Sequence, residues 1–362
     1  MDFALVAKNF DVLQISPPSK LILLDAQALA SAHVPPYPPD MAVLFTNVDS
    51  RELALHLKDV LLTTYPNEHI IYIVKDEMKK EERIEAISGE DFSESTCLYV
   101  PPLGEGTSFE SFAEIVAHLR APNGCPWDRE QTHESLRKHL LEESYEAISA
   151  IDSGDFAEMR EEFGDLLLQV VLQSQIANEE KQFNIHQAIH GIYTKLVRRH
   201  PHVFGDLKLE GVEGVLANWE KLKEAERKDK GQKEKGLLDG VPLALPALSQ
   251  AQEYQDRAAR VGFDWPEIEG VLDKVREEIE EIKNAETDFE LASEIGDLFF
   301  ALVNVARWKH IDAESALRGT NMKFKKRFAY MEQGAKRQER NLSELSLEEM
   351  DAFWNEAKKR GR

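Results

Sequence analysis

Cysteine is nearly absent from this chain: there are two in 362 residues, Cys97 and Cys125. Two thiols give no disulfide framework and fit a reducing compartment. Long apolar runs are missing too, and none approaches the roughly 20 residues a membrane span needs. The first residues, MDFALVAKNFDVLQ, carry acids and no basic stretch, so a signal peptide is not expected. A cytoplasmic setting is expected. Basic residues are in deficit, 44 Lys and Arg against 66 Asp and Glu, for a formal net charge of −22. A nucleic-acid duplex or an anionic membrane demands a basic footprint, so neither is expected as a partner. The balance suits a protein that handles small molecules or gathers cations at carboxylates.

The chain changes texture once. Over residues 1–103, short β-rich runs (LILLDA, MAVLFTNV, HIIYIVKD, STCLYVPPL) alternate with one helical stretch, SRELALHLKDVLLTTY. Dense proline at HVPPYPPD and at Pro101 and Pro102 marks loops and a boundary. From about residue 106 onward the pattern is long amphipathic helices rich in Glu, Lys, Leu and Ala, and strand signals nearly vanish. A charged, Gly-bearing run begins at residue 223 (KEAERKDKGQKEKG) and reads as a solvated linker over 223–243.

The helical part is written twice. The first copy holds CPWD (125–128), LLEESYEAISAI (140–151), REEFGDLLLQVV (160–171), TKLVRRH (194–200) and NWEKLK (218–223). The second holds FDWP (263–266), VREEIEEIKNA (275–285), SEIGDLFFALV (293–303), MKFKKRF (322–328) and FWNEAKK (353–359) in the same order. The expected fold is therefore mainly α. It has two tandem helical-bundle domains, residues 106–222 and 244–362, preceded by a small α/β segment.

Acids recur at fixed places in both copies. Glu278 and Glu281 are three apart and share one helical face, with Glu277 beside them. Glu294 and Asp297 share a face of the next helix, and a short loop around NAETDFE sets the two helices antiparallel. Copy one has Glu142, Glu143 and Glu146, then Glu162 and Asp165. Converging carboxylates repel unless a cation lies between them. Oxygen ligands without His or Cys select a hard ion, so Mg2+ is the expected occupant, with Mn2+ as the alternative. A di-iron bundle would need Glu-x-x-His, and Asp stands where that His would be. Gly164 and Gly296 precede the ligand Asp in each copy, where a neighbouring helix or the metal cluster is expected to come close.

Basic and aromatic residues extend the pattern. Lys323 and Arg327 are four apart, with Phe324 and Phe328 expected toward the core; Lys195 and Arg199 repeat the spacing. Cations beside a metal cluster imply a polyanion joining them, hence a phosphorylated ligand. Lys274, one turn before Glu278, adds a phosphate contact, and Trp219 and Trp354 suit a base or ribose platform. Each feature alone has a bland reading: a solvated acidic face, an ion-pair partner, a core tryptophan. Their ordered duplication outweighs it.

At these residues the sequence resembles the MazG family of nucleoside triphosphate pyrophosphohydrolases, whose pattern of Glu-Glu-x-x-Glu followed by Glu-x-x-Asp both copies fulfil. NGCPWDREQTHESL, RRHPHVFGD, LPAL, VGFDW and NMKFKKRF also look like family segments. The resemblance implies an all-α tandem fold and usually a homodimer. It implies Glu278, Glu281, Glu294 and Asp297 as magnesium ligands, and Lys274, Lys323, Arg327 and Trp354 as nucleotide contacts. The C-terminal copy is favoured as the active one, although copy one keeps Glu142, Glu143, Glu146, Glu162, Asp165, Lys195, Arg199 and Trp219. The first 103 residues are similar to the back half of a tetrapyrrole methylase domain without its Gly-rich front, so methyl transfer is not expected.

The expected reaction is hydrolysis of a nucleoside triphosphate to the monophosphate and pyrophosphate. In it Glu277 orients or deprotonates the attacking water, and Lys323 and Arg327 neutralise the leaving group. The rival readings are a non-catalytic helical scaffold holding structural ions and a residual methylase function.

Overall fold

The structure, a computed structural model, describes residues 3–87, 92, 93, 95–212, 214, 215, 218, 219, 221, 222, 226 and 236–360. The chain divides into two compact units, Met1–Ile148 with Asp155–Gly191, and Ser149–Gly154 with Ile192–Arg362. Residues 192–222, read above as the end of the first copy, group with the second unit. Of the expected linker, residues 223–225 and 227–235 lie outside the described residues.

The first unit opens with helix α1 (Phe3–Leu13) and holds five strands among the described residues: β1 (Leu21–Asp25), β2 (Ala42–Thr46), β3 (Ile70–Lys75), β4 (Met78–Arg83) and β5 (Cys97–Val100). They form one sheet in the order β1-β2-β5-β3-β4, in which only β1 and β2 run parallel. Strand β2 reads AVLF without polar alternation because both its faces are covered. Val43 and Phe45 pack with Leu57 and Leu61 of helix α2 (Arg51–Leu62), while Ala42 and Leu44 meet Phe10 and Leu13 of α1. Strand β4, MKKEER, carries no apolar period and was not expected from sequence. It is an edge strand, where lysines and glutamates keep the open backbone edge from pairing with other chains.

Copy one begins with helices α3 (Phe109–Arg120) and α4 (Pro126–Glu130). The acids lie on α5 (Arg137–Ser153) and α6 (Phe156–Glu179), followed by α7 (Ile185–Arg199) and α8 (Pro201–Phe204). Gly154, with φ +72°, ends α5 in the left-handed region that favours glycine, and Asp155 caps α6 by accepting from the backbone N–H of Ala157 and Glu158.

Copy two consists of α9 (Ala247–Arg260), α10 (Ile268–Asn284), α11 (Asp288–Trp308), α12 (Ala313–Arg337) and α13 (Leu347–Arg360). Helices α10 and α11 pack as an antiparallel pair, and α9 lies against α11. Their joint is short because Thr287 and Glu290 form a reciprocal capping box that starts α11 at once.

Candidate active site

The turn-to-turn spacing of the acids does what the repeat suggested. On α10 and α11, Glu278, Glu294 and Asp297 each offer a carboxylate oxygen, all within 4.8 Å of one another. Glu281 lies at the rim: burial, a hydrogen bond with Glu278, and the charges of Glu278 and Glu294 hold its carboxyl above the usual range. Glu278 is the innermost acid, 2% exposed, and its Oε2 is buried without a hydrogen-bond partner. Its Oε1 receives Lys274 Nζ at 2.6 Å, and the same ammonium reaches Glu277 Oε1 at 3.0 Å. Those two contacts hold Lys274 above the usual lysine range. Glu277 itself is exposed and stands outside the three-acid cluster.

Beside the cluster is a cavity of about 340 Å³ between α9, α10 and α11, with Lys274, Glu278 and Asp297 in its wall. Aromatic rings of Tyr254, Phe263, Trp265 and Phe300 make much of the rest. Trp265 comes close to the first turn of α10 because residue 270 is glycine, where a Cβ would overlap its indole ring. A polar group completes the wall. Asp264 Oδ1 accepts from Arg307 Nη2 at 2.5 Å and from Trp308 Nε1 at 3.2 Å, and Arg307 Nε donates to Asn304 Oδ1 at 2.9 Å. Burial works against the Asp264 charge, but those donors hold its carboxyl below the usual range.

The sequence reading missed this cavity. Its residues are scattered over three helices and the segments before α9 and α10, with no repeating interval, and the only local signal was the FDWP segment, read as a counterpart of CPWD. The tryptophan expected as a base platform, Trp354, is not in its wall. Trp354 packs against Phe324 with ring centroids 5.2 Å apart, under the Arg327 guanidinium at 5.4 Å. Phe324 and Phe328, expected toward the core, are instead 58% and 37% exposed, stacked on each other along the outer face of α12. Lys323 is exposed on that helix. So Arg327 and Trp354 are brought together, Lys323 stands one turn before Arg327 on the same helix, and none of the three lines the cavity.

Copy one repeats the cluster. Glu143, Glu146 and Glu162 place carboxylate oxygens within 4.8 Å of one another. Burial together with Asp165 and Glu146 holds Glu143 above the usual carboxylate range, and burial together with Glu146 and Asp165 does the same for Glu162, so Asp165 belongs to the same charged group. Glu142 points elsewhere, 3.6 Å from His139 Nδ1. Lys195, Arg199 and Trp219 fall in the second unit. There Arg199 grips Glu226 through Nε at 3.0 Å and Nη2 at 2.6 Å, Arg198 adds a contact at 2.6 Å, and Glu226 is pulled down to about 2. Trp219 rests near His200, with ring centroids 6.2 Å apart, and Lys195 is exposed. Gly164 and Gly296 were expected where something packs closely; a Cβ on either would meet no atom within 4 Å.

Each cluster therefore offers oxygens alone, and in copy two a buried oxygen lacks any donor. An unpartnered carboxylate oxygen in the interior is costly, and a hard divalent cation is the partner this donor set fits. Tandem helical repeats, each carrying converging acids on paired helices, define a class of protein whose acid clusters fit hard divalent cations.

The comparisons with known proteins agree. A family profile described as the MazG nucleotide pyrophosphohydrolase domain matches residues 131–204 and 268–330, once in each copy. The nucleoside triphosphate pyrophosphohydrolase/pyrophosphatase MazG of Thermotoga maritima is 45% identical over 70% of this chain and 96% of its own length. The nucleoside triphosphate pyrophosphohydrolase of Escherichia coli K12 is 44% identical over 68% of this chain and 95% of its own. The uncharacterized protein YabN of Bacillus subtilis is 41% identical over 98% of this chain and 74% of its own, so its likeness extends through the α/β segment. The chain belongs to the MazG nucleotide pyrophosphohydrolase family, and it is an enzyme of the hydrolase class.

Proposed function

We propose that the chain hydrolyses nucleoside triphosphates between the α and β phosphates, releasing the monophosphate and pyrophosphate, in a Mg2+-dependent reaction at the second copy. The observation that carries this reading is the buried, unpartnered Oε2 of Glu278 inside a three-acid cluster on the wall of a cavity. Glu278, Glu281, Glu294 and Asp297 would hold the metal, with Mn2+ as an alternative occupant. When bound there, the ion supplies Lewis-acid polarisation of phosphate oxygens.

The chain's own groups account for the rest. Lys274, already placed on the cluster, offers its ammonium to phosphate oxygens. Lys323 and Arg327 offer charge to the departing pyrophosphate from α12. Glu277, which Lys274 contacts at 3.0 Å just outside the cluster, is the acid that would orient or deprotonate the attacking water. Glu143, Glu146, Glu162 and Asp165 form a second candidate metal group.

The repeat boundaries at 106–222 and 244–362 belong to this reading, supported by one profile match inside each. So does a homodimer, supported by the apolar stripe of α11, where Ile295, Phe299 and Leu302 are 38%, 56% and 46% exposed. Two free cysteines and the lack of any described helix long and apolar enough to cross a membrane support a cytoplasmic setting. The α/β segment is proposed as a tetrapyrrole methylase-like remnant with a structural role.

Product analysis tests the reading. With Mg2+ and each nucleoside triphosphate, phosphorus NMR should show pyrophosphate and monophosphate. Orthophosphate with diphosphate would reject the cleavage site.

A further inference from the structure

The two copies differ at the far end of their acid-bearing helices. In copy two, α11 ends at Trp308 and α12 begins at Ala313. Gln252 of α9 lies across that joint. Its Nε2 donates to the carbonyl of Ile311 at 3.2 Å, and its Oε1 accepts from the backbone N–H of Ala313 at 2.9 Å. One side-chain amide thus satisfies a loop carbonyl and the first N–H of a helix, which has no partner inside the helix.

Copy one lacks this plug. Val116 is the buried residue of α3, and Gln255 that of α9. Each faces the acid-bearing helix: Val116 packs with Val171 and Leu172 of α6, and Gln255 donates to the carbonyl of Phe300 on α11. Three residues earlier, Ala113 therefore stands where Gln252 stands. Its side chain ends at Cβ, and beside it is a cavity of about 320 Å³ between α3, α6 and the start of α7. Val171 and Ser174, both buried, line it from α6. Ile185, also in its wall, opens α7 as Ala313 opens α12. Among the described residues, the N–H of Ile185 meets no acceptor.

Charge sets the cavity apart as well. Glu110 and Glu114, four apart on α3 and both exposed, line it, and among the described residues neither forms an ion pair. In copy two the matching positions are Ser249 and Glu253, and Glu253 is neutralised by Arg257 Nε at 2.8 Å. His118 stands where that arginine would be. Two uncompensated carboxylates repel phosphate and attract a cation, so the cavity is no second nucleotide site.

We propose that this cavity binds a basic peptide segment. A backbone amide of the peptide takes the place that Gln252 fills in copy two, its carbonyl accepting from the N–H of Ile185. A neighbouring Lys or Arg side chain lies against Glu110 and Glu114. A peptide suits the cavity better than a free cation, because the repeat shows an amide at this joint and the acids stand beside it. The inference is independent of the reaction proposed above.

The test titrates the full chain, by ligand-observed NMR at low salt, with acetyl-Gly-Arg-Gly-amide, acetyl-Gly-Glu-Gly-amide and methylguanidine, a guanidinium without an amide. The arginine peptide should bind about tenfold or more tighter than either of the others. Its advantage over the glutamate peptide should shrink as NaCl is raised to about 0.5 M, where exposed charges are screened. Ala113→Gln restores the plug. It should weaken the arginine peptide by about tenfold or more while raising the thermal midpoint, since the amide now closes the joint from within. Glu110→Gln combined with Glu114→Gln, at exposed positions that leave the fold intact, should abolish the preference for arginine over glutamate. Equal binding of the two peptides to wild type, or a preference that survives the double substitution, would overturn the proposal. So would methylguanidine binding as tightly as the arginine peptide, or a folded Ala113→Gln protein that binds like wild type.

Discussion

Lys274 Nζ lies 2.6 Å from Glu278 Oε1, one helical turn along α10, and Glu278 is almost wholly buried. The acid cluster therefore brings its own cation on the helix that carries its innermost acid. A second role follows for the lysine expected to meet phosphate: it keeps a buried carboxylate compensated. Lys274→Ala should lower the stability of the metal-free protein by about 1–2 kcal/mol. That value is discounted for the partial exposure of the lysine. Added Mg2+ should recover part of the loss. Urea denaturation with and without Mg2+ checks this, and an unchanged midpoint in the metal-free state would contradict it.

The two copies should separate in activity. Glu281→Gln is expected to cost on the order of 100-fold or more in kcat, because it removes one of the four carboxylates proposed to hold the metal. Glu146→Gln should change kcat by less than about twofold. Parallel steady-state assays of the two variants decide which cluster works, and a larger loss from Glu146→Gln would reassign the reaction to copy one.

Gly296 sits inside α11 with open space where a Cβ would project. Gly296→Ala should stabilise the isolated chain by about 0.5–1 kcal/mol through helix propensity. Thermal denaturation measures it. A drop in stability would show that another chain packs against this turn in solution.

Arg340 holds Glu349 through Nη1 at 2.7 Å, and Glu349 also accepts from the backbone N–H of Ser346, fastening the start of the helix that carries Trp354. Arg340 and that N–H pull Glu349 from 4.5 down to about 2. A lowered folded-state value stabilises above the unfolded value and is lost as pH falls through the folded one. Glu349→Gln should therefore be less stable than wild type above about pH 5, with the gap closing as pH falls toward 2. Trp fluorescence during denaturation across that range reads the gap, and a gap independent of pH would refute the pairing.

The acid ladder was legible because side chains three apart on a helix must share a face, and because the same interval appears twice. The paired helices followed from the short joint between them. Strand β4 was not legible: MKKEER has the composition of a solvated helix, and only its place at the sheet edge explains it. The cavity was hidden for a different reason. Tyr254 and Asn304 come from two helices and Trp265 from the connection between α9 and α10, and nothing in their spacing says that they meet. Trp354 was expected as a ligand platform from its place near basic residues; its ring packs against Phe324 and lies under Arg327, neighbours that the spacing did not foretell.

Only three residues separate α10 from α11, and the capping box at Thr287 fixes where the second helix starts. Adding or deleting one residue within the first turn of α11, ahead of Glu294, would turn everything beyond it by about 100° about the helix axis. Glu294, Asp297 and Asn304 would swing away together, since all three ride on one straight rod. Whatever variety of substrates this scaffold comes to accept, it must arise by exchanging side chains on that rod rather than by lengthening the loop beside it.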